Sequence, residues 1–251
     1  MLFKYLRSLC VFLLITGMFG AAVLSGGGMQ NAVLQMQKPD PSVQPTAAGA
    51  GQMPRVSVIL DAGHGGEDGG AVSCTGAAEK TLNLSIVGVL GDMLTACGVD
   101  VIYTRTDDNG LYDGAVAGHR KMTDLKNRLA VHAAHPEALF LSVHMNTFAD
   151  PDCRGMQFFY SGNDAASAIL AENMRGAVIQ YLQPDNSRVC KQAGKNIYLL
   201  DRAVGTAVLA ECGFLSNPEE AAQLMTPEYR EQIAAVLCVG ILNYIKESSQ
   251  P

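Results

Sequence analysis

Val56-Ser57-Val58-Ile59-Leu60-Asp61-Ala62-Gly63-His64-Gly65-Gly66 decides how the rest of the chain is read. A short apolar, β-branched run stops at an acid and then at glycines, the pattern of a buried strand feeding a Gly-rich loop. Downstream, strand and helix alternate. Leu82, Ile86, Val89, Leu90, Met93 and Leu94 recur at helical spacing and Gly98 stops the run. Val99 to Thr104 reads as a second strand, and a polar loop from Asp107 to about Gly118 leads to a helix near 121–134. Leu139 to Val143 is a third strand ending at His144; Gly155 to Tyr160 is a fourth, followed by a helix over 164–182. Asn196 to Leu200 reads as a short strand, and Thr206 to Ala210 as the last buried one, ending at Glu211. Helices over about 218–225 and 227–246 close the chain. This alternation predicts a single α/β domain with a mostly parallel, twisted sheet of about six strands and helices on both faces.

Outward from that strand toward the N-terminus, the character changes. Lys4 and Arg7 precede an apolar stretch from Leu9 to Leu24, so residues 1–24 are expected to be an export signal or a membrane anchor. Residues 25–54 carry only Lys38 and Asp40 as charges, together with Pro39, Pro41, Pro45 and Pro54. Such a segment is expected to be a tether whose span is on the order of 30 Å. The folded domain is then 55–251, and the protein is expected outside the cytoplasmic membrane, secreted or tethered to it.

The bulk numbers fit this division. Of the 251 residues 48% are hydrophobic, enough for one buried core. A formal net charge of −6 argues against a nucleic-acid groove, which needs a concentrated basic face. The seven cysteines form no CxxC pair. Cys10 lies in the apolar segment, and most of the other six read as buried small hydrophobes.

Open α/β sheets bind ligands beyond the carboxyl ends of their strands, so the polar residues there are the candidates for chemistry. The first strand supplies Asp61 and His64, the third His144, and the last Glu211. Glu79, opening the first long helix after the Gly-rich loop, can face the same edge. Two His and one Glu with an open position for water form a recognised zinc set. His64, Glu79 and His144 are therefore expected to bind one Zn2+, with Glu211 as the general base. Asp61 is expected to orient His64 by a hydrogen bond. On its own Glu79 could equally be a first-turn carboxylate that suits the helix dipole. His119 reads as a solvated loop residue, and His132 and His135 as last-turn cations of a helix. Cys74, Cys153 and Cys212 are weaker ligand candidates, because two His and two Glu already complete the scheme.

These motifs resemble those of the zinc-dependent N-acetylmuramoyl-L-alanine amidases, of the amidase-3 type. The resemblance rests on Val58 to Gly66 with Asp68-Gly69-Gly70-Ala71, on Glu79-Lys80, and on Thr104-Arg105. It continues through Leu125 to Arg128, Leu141 to Asn146, and Glu211 to Asn217 with Glu219, and so covers about 55–246. It implies hydrolysis of the amide between muramic acid and the L-alanine of a stem peptide. The partners implied are the peptidoglycan glycan strand and its stem peptide, with Asn146 and Arg128 added as supporting or substrate-binding residues. Arg120 to Arg128, Asn196 to Leu200 and the short N-terminal segment are further similar to the CwlD-type germination-specific amidases of endospore formers. That implies a part in forming muramic δ-lactam in spore cortex. A monomer is expected, with room left for an accessory protein. A catalytically silent wall-binding protein on the same fold and a zinc peptidase are the alternatives; loss of a ligand or of Glu211 would mark the former.

Overall fold

In the computed structural model, which describes residues 56–116 and 118–250, the opening strand β1 (Ser57–Ala62) lies inside the sheet. After it come α1 (Glu79–Ala96), β2 (Asp100–Tyr103), α2 (Arg120–Ala134), β3 (Leu139–Asn146) and β4 (Gln157–Tyr160). The remaining elements are α3 (Ala166–Tyr181), β5 (Lys191–Gln192), α4 (Tyr198–Asp201), β6 (Ala207–Phe214), α5 (Pro218–Leu224) and α6 (Pro227–Ser248). The expected class is the one observed: six strands in the order β2-β1-β3-β6-β4-β5, parallel except where β4 meets β6.

Alternation along the central strands sorts their side chains between two cores. Val58, Leu60 and Ala62 of β1, with Leu139, Leu141 and Val143 of β3, pack beneath α1, α3 and α6. Ile59, Phe140, Ala207 and Leu209 point the other way, toward α2 and α4. Because both faces are covered, β1 and β3 read as nearly unbroken apolar runs. The period of two places Asp61, Ser142, His144 and Glu211 on the α2 side of the sheet. The chain leaves β1 for β2 on one flank and returns to β3 on the other. That reversal opens a crevice at the carboxyl ends of β1 and β3, where such sheets bind ligands.

Four expectations need correction. Asn196 to Leu200 is not a strand: its apolar residues form the short helix α4, whose Leu199 and Leu200 are buried in the second core. An apolar run of that length carries no period to separate helix from strand. β3 and β6 also extend beyond their expected ends, to Asn146 and Phe214, because Met145, Cys212 and Phe214 are buried too. His144 and Glu211 therefore lie within strands rather than after them. His132 is no solvated helix-end cation: it is fully buried and stacks on Phe140 with ring centroids 4.8 Å apart. Of the six cysteines in the folded domain, all unpaired, only Cys212 and Cys238 are buried.

The apolar stretch from Leu9 to Leu24 and the expected tether 25–54 lie outside the described residues. Among those described, no helix is long and apolar enough to cross a membrane.

Candidate metal centre and active site

β1 hands the chain to a loop that curls tightly over the sheet edge. Gly63 N–H still donates to Val143 O (3.0 Å), extending the β1–β3 ladder by one residue. His64 then turns into the left-handed region at φ 63, a conformation that costs a non-glycine residue roughly 1–2 kcal/mol. The surroundings impose it. Gly65 and Asp68 exchange backbone hydrogen bonds beneath it, and Arg128 Nη2 donates to its carbonyl at 2.6 Å. Gly63 is required by close approach, since a Cβ there would sit 2.2 Å from His144 Cε1.

His64, Glu79 and His144 converge at this edge. One donor atom from each lies within 4.8 Å of the others, and the imidazole rings stand edge to face with centroids 4.9 Å apart. Glu79 is the hub. Its Oε2 lies 3.2 Å from His64 Nε2 and its Oε1 lies 3.0 Å from His144 Nδ1. Ala71 N–H (2.8 Å) and Met145 N–H (3.0 Å) also donate to that carboxylate. Although Glu79 opens α1, its side chain is committed to the cluster rather than simply facing the helix dipole. Burial alone would raise its pKa, but the hydrogen bonds and charge of the two histidines hold it well below the usual carboxylate range.

Asp68 completes this layer, a residue whose role the sequence pattern does not reveal. Its Oδ1 lies 3.1 Å from His64 Nδ1, so it fixes the ring and leaves Nε2 toward Glu79. Burial lowers the His64 pKa, and the carboxylates of Glu79 and Asp68 more than reverse this.

Glu211 sits opposite His144 in the β3–β6 register. Its Oε2 is buried with no hydrogen-bond partner. Burial pushes its carboxyl up to about 7; the nearby Glu79 charge adds to this, while His144 and His64 pull it down. Its neighbour Cys212 is fully buried toward the opposite core, and burial raises that thiol far above its ordinary range. It therefore supplies no anionic thiolate.

Asp61 requires a correction, since it does not orient the His64 ring directly. It is fully buried and accepts hydrogen bonds from Thr104 Oγ1 (2.7 Å), Ser142 Oγ (2.6 Å) and Arg128 Nη1. Burial would raise its pKa, but the Arg128 charge and both hydroxyls keep it low. Arg128, itself 1% exposed, carries the constraint onward to Ala62 O (2.8 Å) and His64 O. Arg105 does the same from β2's side, donating to Ala62 O (2.8 Å) and Gly63 O (3.0 Å). Asn83 adds a bond to Gly63 O at 3.1 Å. Arg128 is thus a buried support for the loop. Asn146 ends β3, and its side-chain oxygen accepts from Thr147 N–H at 2.8 Å. Asp68, Arg105 and Asn83 are the supporting residues that sequence reasoning overlooks; an Arg directly after an apolar strand is the one available signal.

The donor set suits a metal ion. Two imidazole nitrogens and an anionic carboxylate oxygen match the ligand types of single-zinc hydrolases.

An α/β sheet with two His and one Glu at its switch point, beside a buried acid, fits a hydrolase with a single-metal site. The comparison with known families gives the particular one. The family model described as N-acetylmuramoyl-L-alanine amidase matches residues 58–243, and the chain belongs to that family. With it comes the enzyme class, an amidase acting on cell-wall peptidoglycan. The germination-specific N-acetylmuramoyl-L-alanine amidase of Bacillus subtilis (strain 168) is 34% identical over 197 residues, 77% of this chain and 81% of that protein. Among solved structures, the CwlD amidase from Clostridioides difficile in complex with the GerS lipoprotein matches with a TM-score of 0.74 and 34% identity. That match covers 77% of this chain and 100% of that one. An N-acetylmuramoyl-L-alanine amidase from Clostridium difficile 630 follows at TM-score 0.68 and 26% identity, covering 78% and 99% respectively.

Proposed function

We propose that the protein is a zinc amidase that removes stem peptides from spore-cortex peptidoglycan, with His64, Glu79 and His144 as ligands and Glu211 as the acid–base group. The observation that carries the chemistry is Glu211: a buried carboxylate with an unpartnered oxygen, in register with a histidine of the donor set. Bound zinc would supply Lewis-acid polarisation of a water molecule and of the scissile carbonyl. The chain's own residues do the rest. Glu211 takes the proton of the attacking water and returns it to the L-alanine nitrogen as the C–N bond breaks. Asp68 holds the His64 ring, and Arg128 and Arg105 hold the loop beneath it, so the ligands do not rearrange during the reaction. The cortex assignment is supported by the likeness to a relative named as a germination-specific amidase.

On this reading the enzyme works outside the cytoplasmic membrane, with residues 1–24 as signal or anchor and 25–54 as tether. A lipoprotein partner, of the kind carried in the solved complex, would position it at the cortex. Digestion of purified peptidoglycan tests the bond: the new amine should lie on L-alanine. A free D-amino terminus would mark a peptidase, and no release a silent binding protein; either result defeats the proposal. Spores lacking the protein should contain no muramic δ-lactam, and normal lactam content would remove the cortex role.

A further inference from the structure

α1 begins at the metal cluster and ends at a thiol. Cys97 is the C-cap of α1, exposed, and followed by Gly98 in the left-handed region at φ 81. α6 lies against the same helix: Leu90 and Leu94 share a core with Leu237 and Ile241, and Arg230 Nε donates to Ser85 Oγ at 2.9 Å. At the other end of this seam, the Cys97 side chain meets the thiol of Cys238, which is only 6% exposed. Among the described residues, no other two cysteine side chains meet in this way. We propose that Cys97 and Cys238 are a disulfide-forming pair that ties the C-terminal end of α1 to α6 when a low-molecular-weight disulfide is present.

The geometry sets the order of events. Cys97 is the accessible thiol, so its thiolate attacks the small disulfide RSSR; one RS⁻ leaves and Cys97–S–S–R remains. The Cys238 thiolate then attacks the Cys97 sulfur and expels the second RS⁻. The protons from the two cysteines end on the two RS⁻ groups, so a protein dithiol and RSSR become a protein disulfide and two RSH. Closing to an S–S bond of about 2.05 Å needs adjustment at one partner. Cys97 can supply it, because it stands at a helix end with φ −86 and ψ 3 and precedes a glycine. Burial, and Cys97 beside it, push the Cys238 thiol up to about 12, so the second step should quicken as the medium becomes more alkaline. The bond would close a loop of well over 100 residues, the kind of cross-link that restricts the unfolded chain most. Neither cysteine touches the metal cluster, so the proposal is independent of the reaction assigned above.

The test treats the full chain with oxidised glutathione, then maps peptides without reduction and measures thermal unfolding. The expected result is a Cys97–Cys238 linked peptide, absent in C97S and in C238A, with the melting temperature raised by about 5–10 °C in the wild type only. Amidase activity of reduced C97S should equal that of the reduced wild type. Glutathione retained on Cys97 without transfer, a disulfide between other cysteines, or both thiols still open to alkylation after oxidation would each overturn the proposal. Cys97 is exposed, so C97S should fold normally and carries the test even if C238A does not.

Discussion

His144 and Glu211 are register partners on adjacent parallel strands, and they share the sheet face that α2 covers. The pairing explains how the proposed metal ligand and the proposed proton-transfer group come to be adjacent without sharing a loop. It also separates their roles, because Glu79 and not Glu211 bridges the two histidines. Glu211→Gln should therefore retain metal in the purified protein while lowering kcat by about 100- to 10,000-fold. Metal analysis beside a peptidoglycan-release assay checks this, and a Gln variant that loses metal but keeps activity would reverse the assignment. His64→Ala should do the opposite and lose the metal itself.

Gly70 offers a subtler probe of the same cluster. At φ 67, a Cβ there would lie 2.5 Å from Glu79 Oε2 and 2.6 Å from His64 Cδ2. Neither ligand can retreat, since Glu79 also holds Ala71 N–H and His64 is braced by Asp68. Gly70→Ala should weaken metal affinity by about 10- to 100-fold in competition with a chromophoric chelator. Gly76→Ala is the matched control: its φ is 90, and a Cβ there would meet nothing within 4 Å. It should leave affinity unchanged.

The buried ion pair between Asp61 and Arg128 makes a third case. Asp61→Ala would leave the Arg128 guanidinium, 1% exposed, with only Asp124 as counter-charge. Removing one member of such a pair costs about 3–5 kcal/mol, which for a domain of this size lowers the melting temperature by roughly 10 °C. Thermal unfolding measures the loss. The double variant Asp61→Ala/Arg128→Met should lose less than the sum of the two single variants, since it removes the stranded charge together with its partner although the Arg128 bonds to Ala62 O and His64 O go too; a strictly additive loss would show that the pair is not the constraint.

Much of this arrangement is legible in the residues themselves, and the limits have physical causes. The run Val58 to Leu60 announces a buried strand because both its faces are covered, and Asp61, His64, His144 and Glu211 stand out as polar residues interrupting such runs. Glu79 is harder: as the first residue of a helix it has an ordinary explanation, and only its place over the sheet edge removes that one. Asp68 reaches His64 across 4 residues of an irregular loop, where no period marks which side chains meet, and Arg105 reaches Gly63 O across 42 residues of chain, a distance no local pattern encodes. The end of β6 is misjudged because Cys212-Gly213-Phe214 looks like a turn, yet Glu220 accepts from Phe214 N–H and holds the segment extended. Ile197 to Leu200 is too short to show a period at all.

His132 gives the pH-dependent prediction. Both its ring nitrogens are buried without a hydrogen-bond partner, in the core between α2 and β3, and burial lowers its pKa below 6.5. The unfolded chain then binds a proton more readily than the folded one, so stability is lost as pH falls through the unfolded value near 6.5 and below it. The slope from this group is at most about 1.4 kcal/mol per pH unit, and the loss stops growing once pH drops below the folded-state value. His132→Leu keeps an apolar group of similar size against Phe140 and removes the titration. Denaturant unfolding at pH 7.5 and at pH 5 should show the wild type losing stability across that interval, with the Leu variant losing less of it. Equal losses in the two proteins would mean that the folded structure opens to hydrate His132 at little cost, and that its burial does not govern acid sensitivity.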